Sequence, residues 1–162
     1  MWEYVAGLFD GDGSFSIALS RAGLQKNNGK THVSVNFNAK ITTCHLRKSK
    51  PIIDFLVNEG IISRKTKIAY RTSQNSPYQR TPTFHISINT NKGLEKFVNG
   101  IFPHVILKRE QCSIMLRVFE ERKKIKDRGE RYIDNLEVFD DLRHALHDLS
   151  VKGPRTLKPW RR

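Results

Sequence analysis

Two cysteines in 162 residues, Cys44 and Cys112, are too few and too widely spaced for a disulfide framework or a zinc site. A reduced, intracellular setting is therefore expected. Long apolar runs are missing too. None approaches the roughly 18 residues of a membrane helix, and no charged-then-apolar leader opens the chain, so neither a membrane span nor secretion is expected. Acids are scarce, with 16 Asp and Glu against 29 Lys and Arg, a net charge of +13 at pH 7. Such an excess draws polyanions, nucleic acid first among them. A basic amphipathic membrane binder would gather this charge on one helix, whereas here it is spread along the chain. The apolar fraction of 38% still allows a real core. The length fits one domain over residues 1–150, followed by a basic tail at 151–162.

What is present is concentrated near the start. "VAGLFDGDGSF", residues 5–15, holds two aspartates and three glycines directly after an apolar run. A calcium loop of the EF-hand type is excluded. Counting from Asp10, its sixth position needs Gly and its twelfth Glu, and the chain offers Phe15 and Arg21. The spacing predicts a short helix over 2–11, with i,i+4 apolar pairs Tyr4/Leu8 and Val5/Phe9. Gly7 and Gly11, four apart, form with Ala6 a small-residue face. Each glycine costs such a helix about 1 kcal/mol relative to alanine, a cost that close approach of a second helix would offset. Asp10 and Asp12 fall at the negative end of the helix dipole, where an anion is disfavoured. Two readings stand for them: carboxylates joined by a hard cation such as magnesium, or residues that shape an Asp-Gly turn.

Beyond the helix the period changes to two. Phe15, Ile17 and Leu19 alternate with Ser14, Ser16, Ala18 and Ser20; after a Gly/Asn-rich turn, Val33 to Ile41 alternate with His32 to Thr42. "KSKPIIDFLVNEG" reads as a helix capped by Ser49, with Pro51 in its first turn and Gly60 at its end. "KTKIAYRT" and "TFHISINT" are two more strands. "KGLEKFVNGIF", "KREQCSIMLRVFEERKKI" and "YIDNLEVFDDLRHALHDLS" are helices. The expected fold class is α+β: a four-stranded antiparallel sheet with helices on one face and a polar second face.

That polar face suits double-stranded DNA. Asn36, Asn38, His85 and Asn89 carry the donor and acceptor pairs that read base edges, joined by Ser16, Ser20, His32, Ser34 and Ser87. Lys40, Lys65, Lys67 and Arg71 can meet guanine or phosphate, and Lys26, Lys30 and Arg80 in the hairpin turns can follow a backbone. β-ribbons enter the DNA major groove, whereas the A-form RNA groove is too narrow for them. No outward aromatic pair offers a stacking platform for single strands.

"VAGLFDGDGS" resembles the LAGLIDADG motif of homing endonucleases, and the α-β-β-α-β-β-α order resembles that family's fold. The resemblance implies a site-specific double-strand DNA endonuclease that hydrolyses one phosphodiester per strand across the minor groove and leaves short 3′ overhangs. With a single motif copy, it implies a homodimer on a long, near-palindromic site, with Ala6, Gly7, Asp10 and Gly11 at the interface. Asp12 matches the metal-binding acid, with the Gly11 carbonyl beside it, and Asp10 the earlier, more structural acid. The metal implied is Mg²⁺, with Mn²⁺ as a substitute and Ca²⁺ binding without supporting cleavage. Lys108, with Arg109 as the near alternative, matches the basic residue that follows a proline-containing turn. It would stabilise charge on the scissile phosphate or activate water. His45 stands where relatives order solvent and often carry Gln; Arg47 and Lys48 are its neighbours, and a surface or capping histidine is the plain alternative. Relatives of this fold also include RNA-splicing maturases, for which intron RNA is a partner, and non-cleaving regulators that have lost the acids. The chain is expected to be intron-encoded and to act in a bacterial or archaeal cytoplasm or an organelle.

Overall fold

A computed structural model describes residues 1–22, 32–45, 47, 49–66, 68–71 and 83–150. The expectations on Lys26, Lys30, Lys48, Lys67, Arg80 and the tail fall outside the described residues, as do the side chains of His32 and Arg71. The elements run α1 (Trp2–Asp12), β1 (Gly13–Ala22), β2 (His32–Thr43), α2 (Lys50–Asn58), β3 (Ala69–Arg71), β4 (Thr83–Ile88), α3 (Asn91–Ile101), α4 (Arg109–Asp127) and α5 (Leu136–Asp148). This is the order that the sequence periods predict. A four-stranded sheet takes the order β1-β2-β4-β3, with β4 antiparallel to both of its neighbours.

The chain divides into two compact units, Met1–Phe15 with Asn38–Arg109, and Ser16–Phe37 with Glu110–Arg162. In the first, the inward positions Ala39 and Ile41 of β2 and Ile86 and Ile88 of β4 are buried. The register opposes Ala39 to Ile88 and Ile41 to Ile86, so the apolar rows of the two strands share a face. Helix α1 packs on α3. Phe9 lies between Phe15 and Phe97, at ring-centroid distances of 4.6 and 5.3 Å, and Trp2 meets the edge of Phe55 at 5.0 Å.

The caps follow the sequence closely. Gly60 takes φ +67°, and the N–H groups of Gly60 and Ile61 return to the carbonyls of Val57 and Leu56. This closes α2 as glycine-terminated helices commonly do. Ser49 precedes α2, but its hydroxyl turns back to Thr43 Oγ1 and the His45 carbonyl, both at 3.0 Å, instead of capping forward. The third strand is shorter than the run from Lys65 suggests. The Lys65 and Ser63 N–H groups are taken by the hydroxyls of Ser63 and Thr66, at 3.2 and 3.0 Å, so this stretch turns before the ladder begins at Ala69.

Gly93, in the first turn of α3, is required sterically. A Cβ there would overlap the Ile61 carbonyl oxygen and crowd Thr90 Oγ1, the side chain that caps α3 by accepting the Gly93 N–H. Gly93→Ala should lower stability by about 2 kcal/mol through overpacking, read as a fall of several degrees in Tm. An unchanged Tm would mean that α3 can shift away from Ile61 without cost.

In the second unit, α4 buries Cys112, Met115, Val118 and Phe119, and α5 buries Phe139, Leu142 and Leu146. Phe37 packs against Phe139 at 5.8 Å, and the Arg122 guanidinium lies over the Phe37 ring at 5.2 Å. Residues 132–135 form a 3-10 turn, so α5 starts at Leu136 and not at Tyr132. Cys112 is buried and Cys44 exposed, and no disulfide joins them.

Candidate active site at the end of the first helix

The last turn of α1 contains Asp10, Gly11 and Asp12 and no basic residue. Its unpaired carbonyls and two carboxylates concentrate negative charge. The counter-charge comes from far along the chain. Asp10 Oδ2 accepts the N–H groups of Ile106 and Leu107 at 2.7 and 3.3 Å, and Oδ1 accepts that of Lys108 at 3.0 Å. The carboxylate thereby ties down the turn that leads into α4, anchored from beneath by buried Val105. Lys108 Nζ in turn donates to the main-chain carbonyl of Asp10 and stands 5.8 Å from the centroid of the Phe9 ring. Its ammonium sits at the negative pole of the helix. Asp12 is exposed and makes no hydrogen bond or ion pair among the described residues.

Arg109, the other basic candidate, is turned elsewhere, its guanidinium 5.0 Å from the centroid of the Phe102 ring. His45 is exposed in the turn after β2. Its backbone is engaged, with N–H donating to Thr43 Oγ1 at 3.2 Å and the carbonyl accepting from the Ser49 N–H and hydroxyl, both at 3.0 Å. Asp10 and Lys108 are therefore brought together, whereas the contacts His45 makes through its backbone are to Thr43 and Ser49.

The polar row of the sheet is ordered by its own side chains. In the first unit, Lys40 is paired in register with Ser87, and Thr42 with His85. Thr42 Oγ1 and His85 Nδ1 are 3.1 Å apart, which fixes the imidazole. Periodicity puts Thr42 on this row, but its pairing with His85 appears only with the register. Asn38 is half-buried and its Oδ1 has no hydrogen-bond partner among the described residues; Asn89 and Lys65 are exposed. In the second unit, Ser16 is exposed, Ser20 and Ser34 share a hydrogen bond of 2.6 Å, and Asn36 Nδ2 donates to Ser34 at 3.3 Å.

No family model matches the sequence, and no curated protein does. Solved structures do match. The archaeal intron-encoded homing endonuclease I-Vdi141I, complexed with DNA, superposes with a TM-score of 0.64 at 22% identity, covering 97% of this chain and 88% of that one. The homing endonuclease I-CvuI, in complex with a DNA target, gives 0.59 at 16% identity, covering 96% and 85%. The meganuclease I-SmaMI gives 0.61 at 16% identity, covering 88% of this chain and 43% of that one. The fold is that of the LAGLIDADG homing endonucleases.

On the homing-endonuclease fold, the small-residue face of α1 is narrower than the sequence suggests. Ala6 is fully buried within the chain, on the same side as Val5 and Phe9. It lies inward because one residue of helix turns about 100° from Gly7. The exposed residues of the helix are Glu3, Tyr4, Gly7, Gly11 and Asp12. A Cβ added at either glycine would meet nothing within 4 Å. Among the described residues, packing therefore gives no steric reason for glycine at these two positions. Asp10, expected beside them, is half-buried, and its carboxylate is committed to the turn before α4.

Proposed function

We propose that this chain is a site-specific endonuclease for double-stranded DNA, working as a homodimer on a long, near-palindromic site with Mg²⁺. The observation that carries the reading is the end of α1: an exposed Asp12 carboxylate, unpartnered among the described residues, two residues beyond the carbonyl that holds the Lys108 ammonium, in a fold shared with enzymes solved on DNA.

The donors fit the metal. Asp12 and the Gly11 carbonyl are hard oxygen ligands, and Mg²⁺ takes one or two carboxylates together with substrate phosphate. Among the described residues no three His, Cys, Asp or Glu side chains gather into a cation site. One chain thus supplies a half-site, completed by the Asp12 of a second copy and by the DNA. When bound, the ion polarises the scissile phosphate and acidifies water. Lys108 acts through charge: an ammonium donating to a carbonyl is an electrostatic partner for the developing phosphorane, not a proton acceptor. The Ser, Asn, Lys and His row of the sheet would follow the groove, with each contact contributing modestly to a long site.

Chelation tests the cofactor. EDTA should stop cleavage, Mg²⁺ or Mn²⁺ should restore it, and Ca²⁺ should bind without restoring it. Binding to a selected duplex should also fall with a log–log salt slope of about −0.9 per phosphate neutralised. Full cleavage in EDTA would refute the metal assignment, and a flat salt dependence would refute the DNA surface.

A further inference from the structure

We propose that Asp10 is the positioning residue for Lys108, a role that rests on the endonuclease reading above. The carboxylate uses both oxygens on three consecutive amides, Ile106, Leu107 and Lys108. The main-chain carbonyl of the same residue takes the Lys108 ammonium. Asp10 thus fixes both ends of this lysine, its backbone through the carboxylate and its Nζ through the carbonyl. The lysine comes from a turn far along the chain, and this double hold sets its charge at the α1 terminus that carries Asp12. The start of the turn is tied to α3 through the His104 and Val105 N–H groups on the Ile101 carbonyl. Ile106 and Leu107 are 81% and 80% exposed, so apolar burial there is confined to Val105. A carboxylate is specifically required. In asparagine one of the two oxygens becomes NH₂, so whichever way the amide is turned a donor faces a backbone N–H.

The test is a double-mutant cycle in the full chain with Asp10→Asn, Lys108→Met and the pair, read by single-turnover cleavage, DNA affinity and sedimentation. Asp10→Asn should slow cleavage by roughly 10²-fold, the scale of a misplaced catalytic group, with affinity and dimerisation unchanged. The double variant should be no slower than Lys108→Met alone. Additive losses, or a dimer lost in Asp10→Asn, would overturn the proposal. If asparagine unfolds the chain, Asp10→Glu, which keeps the charge but displaces the turn, goes through the same cycle with the same non-additivity expected. Amide exchange at residues 106–108 separates this proposal from the endonuclease reading. If the unaltered chain cuts no DNA, that reading fails, and loss of protection at these three amides in Asp10→Asn still supports the hold. Unchanged protection overturns it.

Discussion

Asp12→Asn should lower cleavage at least about 10³-fold while leaving affinity for the same duplex within a few-fold. Binding and chemistry separate here because they draw on different parts of the chain. Affinity comes from the many cations of a chain with net charge +13, and one carboxylate adds nothing to phosphate attraction. On the proposed reading, chemistry depends on holding a divalent ion against the scissile phosphate, worth several kcal/mol of transition-state stabilisation. Asparagine keeps the size and one oxygen but removes the charge that selects the cation. The fold should be unaffected, since Asp12 is exposed and makes no hydrogen bond or ion pair among the described residues. Removing an anion from a helix C-terminus is, if anything, stabilising by a few tenths of a kcal/mol. A variant that cuts at the normal rate would remove Asp12 from the site.

On the proposed homodimer, Gly7→Phe should shift the protein to folded monomer and abolish paired cleavage. Within the chain there is open space at this position, and replacing an exposed helical glycine gains helix propensity. The ring itself should therefore not destabilise the chain's own fold, and any fall in Tm should be confined to the lost, concentration-dependent dimer contribution. Glycine at the interior position Gly7 costs the helix about 1 kcal/mol against alanine, and a Cβ there would meet nothing within 4 Å among the described residues. Close contact with a second α1 would offset that cost, and a phenyl ring would block that contact. Sedimentation equilibrium beside a thermal melt reads both effects at once. A dimer with full activity would show that the two chains meet elsewhere.

The parts of this molecule that depend on local pattern are legible in the sequence. Strand alternation in "SFSIALS" and "VNFNAKIT" predicts which side chains turn inward, because a period of two leaves a strand only two faces. The helix stop at Gly60 is equally local. Asp12 is visible through its motif and Lys108 through the turn before it. What joins them is not visible: the Asp10 hold spans most of the first unit's sequence, and nothing near Asp10 hints at which amides it will accept. The Thr42–His85 pair likewise needs the register of two strands far apart in the chain. Ala6 was readable in principle, since its helical phase sets it with Val5 and Phe9. Smallness suggested an interface, whereas the phase points inward.

Cleavage of a randomised duplex library in Mg²⁺, with the ends sequenced and Asp12→Asn run in parallel, tests the central claim most directly. Paired cuts with short 3′ overhangs at one near-palindromic motif, absent from the Asp12→Asn reaction, are the predicted result. Salt-sensitive binding with no cuts from either protein would contradict it.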